Sequence, residues 1–170
     1  DIRLLTKDEY QVKDIKIFDD TMFVICRAEY VHYPLGKFNS VDAYINRSYL
    51  DWYREMSYRS FYNDSLRVPV TRISRLDDSY IDTYASINTG KMEIIGGNIT
   101  DSAIKLRLKV CVGMKKNDVF AAFFRSFPKT YIADINVLRI VSAGGEFAQV
   151  FTFKRNRLQS IAFITNYRYY

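Results

Sequence analysis

The chain has 170 residues, 48% of them hydrophobic, and carries 25 Lys and Arg against 19 Asp and Glu for a formal net charge of +6. That length and apolar share fit one ordinary domain or two small ones and exclude a disordered chain. The positive charge invites a nucleic-acid reading, but the basic residues are interleaved with acids and no block of about five like charges occurs, so nucleic acid is disfavoured as a partner.

In chain order, residues 12 to 31 read as a hairpin. Val12, Ile15, Ile17 and Phe18 lead into an Asp19-Asp20-Thr21 turn, and Met22 to Val31 is rich in β-branched and aromatic residues. Asn39-Ser40 can cap a helix over 41 to 59, in which Val41, Tyr44, Ile45, Tyr49, Trp52 and Met56 recur at three and four; its Tyr and β-branched content also suits a strand. Leu66, Val68 and Val70 then alternate with polar residues around Pro69, which marks an edge or irregular strand. Turns are predicted at Asp77-Asp78-Ser79, Asn88-Thr89-Gly90 and Gly96-Gly97-Asn98, separating short strands at 80 to 87 and 91 to 95. Ile104, Leu106, Leu108 and Val110 alternate with Lys105, Arg107 and Lys109 and predict a half-buried strand.

A second helix is predicted from Met114 to Phe127, ending before Pro128, with Val119, Phe120, Phe123, Phe124 and Phe127 on its apolar face and Asn117 and Asp118 at its positive end. Tyr131 to Val141 reads as a strand, and Phe147 to Lys154 pairs with Arg157 to Tyr167 across an Arg155-Asn156 turn. The fold class that follows is α+β, with helices packed on one face of an antiparallel meander sheet. It divides into residues 1–100, an N-terminal hairpin, helix and strands, and residues 101–170, a helix plus antiparallel sheet.

Fourteen Tyr and 12 Phe against one Trp favour strands and surfaces that touch other molecules. No apolar run approaches the ~18 residues that a membrane-spanning helix needs. A start at Asp1 without an initiator Met reads as a mature fragment from which an export signal, with or without a lipid-attached cysteine, has been removed; a piece cut from a cytoplasmic protein reads the same. Cys26 and Cys111 sit in separate apolar stretches, and two separate buried thiols are favoured over a disulfide.

The order Gly113-Met114, Val119, Phe123, Pro128, then Phe151-Thr152-Phe153, Asn156, Leu158 and Ile161 resembles the repeat unit of the β-lactamase-inhibitor-protein-like (BLIP-like) fold, the group that includes the SmpA/OmlA outer-membrane lipoproteins. The resemblance runs from Gly113 to Ile161, with Lys115 in place of the capping Ser or Thr and Arg125 where glycine is usual. It allows an earlier, divergent copy over residues 31 to 95 and hence two tandem helix-sheet units. It implies a non-enzymatic, extracytoplasmic protein-binding or scaffold role, in the periplasm, outer membrane or cell surface of a Gram-negative bacterium, and it transfers no catalytic residue.

Residues that could carry chemistry are few. His32 is the sole histidine, and along a straight strand Cys26 lies about 20 Å from it, too far for a thiol–imidazole pair. Asp19, Asp20, Asp77, Asp78 and Asp82 read as turn residues rather than metal ligands or a carboxylate pair, since the spacing and glycine of a calcium loop are missing. No cofactor or metal is called for. The candidate partner-binding residues are Tyr131, Phe147, Phe151 and Arg155 on the hairpin side, and Tyr49, Trp52 and Tyr53 from an aromatic set that also holds Tyr44, Tyr58 and Tyr62. A binding domain for a protein partner leads; a small hydrolase-type enzyme with a carboxylate site and a binder of single-stranded nucleic acid stay open as alternatives.

Overall fold

The computed structural model describes residues 3–4, 12–27, 29–60, 67–126 and 129–165. Tyr62, Leu66, Phe127, Pro128, Tyr167 and the other remaining positions lie outside these.

The structure is predominantly β, which corrects the expected fold class. The described residues form eleven strands: β1 (Arg3–Leu4), β2 (Val12–Phe18), β3 (Thr21–Cys26), β4 (Tyr53–Ser60), β5 (Arg67–Ser74), β6 (Tyr80–Ala85), β7 (Met92–Ile99), β8 (Phe124–Ser126), β9 (Val137–Ser142), β10 (Phe147–Lys154) and β11 (Arg157–Thr165). The helices α1 (Val41–Ser48), α2 (Lys116–Phe123) and α3 (Lys129–Asp134) have 8, 8 and 6 residues. Nine strands make one sheet in the order β2-β3-β9-β10-β11-β7-β6-β5-β4, while β1 and β8 form a separate pair.

The sheet is mixed, not an antiparallel meander. Asn136 and Val137 both donate their N–H to the Asp20 carbonyl, at 2.9 and 3.2 Å, and this seats the start of β9 beside the β2–β3 turn. β9 then runs parallel to β3 from Thr21↔Val137 to Cys26↔Ser142, and every other neighbouring pair in the sheet is antiparallel. Strands from residues 1–100 flank those of 101–170 on both sides, so one continuous sheet stands where the resemblance allowed two tandem helix-sheet units.

Local chemistry explains the departures from the predicted elements. The helix expected over 41 to 59 stops at Ser48, whose hydroxyl donates to the Ile45 carbonyl at 2.8 Å and accepts from Leu50 N at 3.2 Å and Trp52 Nε1 at 3.0 Å. Side-chain bonds of this kind compete with the helical ladder. Tyr49 then takes a left-handed φ of 55°, and Tyr53 onward joins β5 as a strand. The predicted strand at 104 to 110 is an irregular crossing with a 3-10 turn at Arg107–Lys109, because Leu108 and Lys109 have φ of 63° and 61°. Its alternation still reports burial: Ile104, Leu106 and Val110 are core residues.

The Phe-rich segment is helical only to Phe123. Phe124 begins β8, where pairing with β1 replaces further helical turns. The strand expected from Tyr131 begins instead at Val137, after α3. Gly96 and Gly97, read as a turn, lie inside β7, and a Cβ at Gly97 would meet the Tyr80 carbonyl oxygen at 2.9 Å and the Phe163 ring at 3.0 Å.

One hydrophobic core joins alternating residues of the sheet to the helices. Met22 and Val24 from β3, Leu138 and Ile140 from β9, and Phe147, Phe151 and Phe153 from β10 meet Tyr44, Val119, Phe120, Phe123 and Ile132. Phe120 lies 5.9 Å from Phe153 and Phe123 5.4 Å from Phe151, ring centre to ring centre. These contacts clamp α2 onto the final hairpin, as the Phe periodicity predicts for the stretch through Phe123.

Candidate binding surfaces

The predicted partner-binding residues fall in three places. Phe147 and Phe151 are 1% and 0% exposed, so they hold the core together and present nothing to a partner. The alternation that marked them is that of β10, whose odd-numbered side chains point inward. Tyr131 is half exposed on α3, and Arg155 sits in the hairpin turn. Tyr49, Trp52 and Tyr53 cluster where α1 passes into β4.

That last group belongs to a larger surface. β4 ends the sheet, and among the described residues no strand pairs with its outer edge. Tyr53, Met56 and Tyr58 along it are 61, 70 and 68% exposed, and Tyr49 just before it is 90% exposed. Trp52 is half-buried and tethered: its Nε1 donates to Ser48, its ring lies 5.9 Å from Tyr44, and the Arg75 guanidinium stands 5.8 Å over it. Arg75 is itself held by Asp101, with Nε to Oδ2 at 2.9 Å, and Arg54 of β4 reaches back to Asp42 on α1. An isolated exposed aromatic needs no account, but a run of them on an unpaired edge strand does.

One face of this edge carries an ionic network that the sequence did not disclose. Glu55 stands opposite Arg72, and Arg72 opposite Asp82. Arg72 grips Asp82 through Nε at 2.7 Å and Nη2 at 3.0 Å, and Arg59 adds a third contact at 2.6 Å. The Arg72 guanidinium also lies 4.1 Å over the Tyr80 ring. Burial opposes ionisation of Asp82, but the hydrogen bonds from Arg72 and Arg59 outweigh it and hold its carboxyl below the usual carboxylate range. Asp82 is therefore no turn residue; it is a buried strand carboxylate. Asp77 does act in a turn, accepting from Ser79 N, Ser79 Oγ and Thr100 Oγ1. Nothing local to Asp82 in the sequence marks the difference, because its partners lie 10 and 23 residues away.

Near the middle of the sheet order, well away from β4, α2, α3 and the β10–β11 turn border a cleft. Arg155 and Asn156 have φ of 52° and 61°, the two-residue left-handed turn that suits the twist of a hairpin. Gly113 N donates to Leu158 O and Leu158 N to Met114 O, both at 2.8 Å, while Lys116 N donates to Asn156 O at 2.8 Å. The hairpin thus takes one N–H of the first turn of α2, where Lys115 supplies no side-chain cap. Lys116 is buried, and its Nζ donates to the carbonyls of Ile132 at 3.0 Å and Ile135 at 2.7 Å near the end of α3. Burial pulls its ammonium below the ordinary lysine range, with Asp134 acting in the other direction.

The thiols and the histidine do not converge on a site. Cys26 is buried, which pushes its thiol up to about 12 and leaves it unreactive at neutral pH. Both cysteines are free; Cys111 is half-buried, with Lys105 Nζ 3.9 Å from its sulfur. His32 packs against Phe147 at 5.8 Å. Among the described residues no three His, Cys, Asp or Glu side chains gather as a metal site would require, and no helix is long and apolar enough to cross a membrane. No family model, curated protein or solved structure matches the chain.

Proposed function

We propose that the protein is a non-enzymatic interaction domain whose β4 edge accepts an added strand, and that the strand it fits is β4 of a second copy. The observation that carries this is the exposed pair Met56 and Tyr58 on one face of a terminal strand, with exposed Tyr53 on the other. Strand addition satisfies unpaired edge groups with main-chain hydrogen bonds, and alternating side chains set the register.

The sequence of β4 is self-complementary about Ser57. An antiparallel copy centred there sets Glu55 opposite Arg59 twice on one face, and Met56 opposite Tyr58 twice on the other. A register one residue shorter opposes Arg54 to Arg59 and is disfavoured by like charge. One strand pair with these contacts lies at the small end of specific interfaces, so a dissociation constant in the micromolar range is expected.

Sedimentation velocity over a concentration series tests the reading. The expected result is a reversible dimer that Met56→Lys/Tyr58→Lys abolishes, since the double substitution turns both Met56–Tyr58 pairs across the axis into opposed lysines, while both positions are solvent-exposed in the monomer. A protein that stays monomeric to millimolar concentration, or a dimer indifferent to the double substitution, would overturn it.

Location outside the cytoplasm belongs to the same proposal. Its support is the Gly113-Met114 motif and its seat on the hairpin at Leu158. Recovery of the native protein in the cytosolic fraction of its source cells would count against it.

A further inference from the structure

We propose that the cleft between α2, α3 and the β10–β11 turn binds a small phosphate or sulfate ester, a site independent of the β4 edge. Its volume is about 430 Å³, within the range of small-ligand sites. Lys115, Lys116, Lys129, Arg155 and Arg157 line it, and among the described residues no carboxylate does.

The cations divide by role. Lys116 is engaged with the α3 carbonyls, and Arg157 Nη1 donates to Gly113 O at 2.8 Å, so these two brace the walls. Lys115, Lys129 and Arg155 are exposed, and among the described residues none of them is in an ion pair. They come from three separate elements around one space, so long flexible cations can close on a doubly charged group from several sides. Two acids neighbour the lining without belonging to it: Asp118 borders the adjoining cleft with Asn117 and Lys129, and Asp134 acts on Lys116.

The backbone adds to this field. The cleft is lined by Lys115, Lys116 and Asn117, the opening residues of the eight-residue α2, whose N-terminus has no side-chain cap and carries the positive end of the helix dipole. Ile132 and Ala133 supply an apolar patch in the same lining. That combination fits an ester whose organic group rests on the patch while its oxyanion faces the cations. A basic surface without such a cleft would instead recognise extended polyanions through charge alone.

Isothermal titration calorimetry with phenyl phosphate in low salt, with inorganic phosphate for comparison, is the test. The expected result is saturable one-to-one binding, tighter for phenyl phosphate, weakened at least tenfold by Lys129→Ala/Arg155→Ala and unchanged by Arg47→Ala/Lys105→Ala, which removes the same charge elsewhere. No binding of either probe, or equal weakening in both double variants, overturns the proposal. Co-sedimentation with phosphatidylglycerol vesicles separates the sources of the phosphate. Vesicle binding that phenyl phosphate displaces supports the site and assigns it a lipid headgroup; vesicle binding that phenyl phosphate leaves untouched places the contact elsewhere and counts against it.

Discussion

Asp82 is the residue whose environment does most to fix the exposed half of the sheet. Its carboxylate, 3% exposed, joins β6 to Arg72 of β5 and Arg59 of β4, and so ties the terminal strand to the interior by side chains as well as by the backbone ladder. Asp82→Asn keeps the shape but removes the charge from two arginines, and a loss of about 1–3 kcal/mol in urea denaturation is expected. The pH dependence follows in sign from its depressed folded-state pKa. The folded state binds fewer protons at this site than the unfolded chain, so the stabilisation is complete above the ordinary carboxylate range and disappears as pH falls through the folded value. The stability gap between wild type and Asp82→Asn should therefore be constant near neutrality and close below about pH 4; a gap that widens in acid would refute the assignment. Gly97 offers a second test at this scale. Its missing Cβ leaves room for the Tyr80 carbonyl and the Phe163 ring, and Gly97→Ala should lower stability by about 1–3 kcal/mol in thermal unfolding.

Among the elements, α2 shows what periodicity can and cannot reveal. Val119, Phe120 and Phe123 are buried as their spacing predicts, because a helix seated on a sheet needs one apolar stripe. The pattern continues into Phe124, yet that residue belongs to β8, and a buried Phe satisfies either geometry. The same ambiguity misplaced the end of α1: Tyr49, Trp52 and Met56 recur at three and four as in a helix, their Tyr and β-branched surroundings suit a strand equally, and the left-handed Tyr49 decides between them. Hairpins were more legible, since Asp19-Asp20 and Arg155-Asn156 lie between alternating strands and make close antiparallel pairs. Phe120→Ala should cost about 3–5 kcal/mol in chemical denaturation because it opens a cavity between α2 and β10. Phe18→Ala, at a side chain 72% exposed, should change stability by less than about 0.5 kcal/mol.

At the scale of the molecule, the parallel pairing of β3 with β9 and the antiparallel pairing of β7 with β11 bind the two halves of the chain into one sheet. Neither contact was visible in the sequence. Both join strands far apart along the chain, and alternation specifies which face of a strand is buried without naming its neighbour. The candidate surfaces were legible in part for the same reason. Tyr49, Trp52 and Tyr53 were marked by composition, and Arg155 by its turn, whereas the edge position of β4 and the gathering of Lys115, Lys129 and Arg155 are products of topology. This topology leaves β4 as an open edge, which under the proposal a second copy completes. Hydrogen–deuterium exchange of the β4 amides at low and high protein concentration tests it most directly. Alternate amides of Tyr53–Ser60 should exchange freely in dilute solution and become protected as concentration rises, while β10 and β11 stay protected throughout; exchange along β4 that is independent of concentration would rule out pairing between copies.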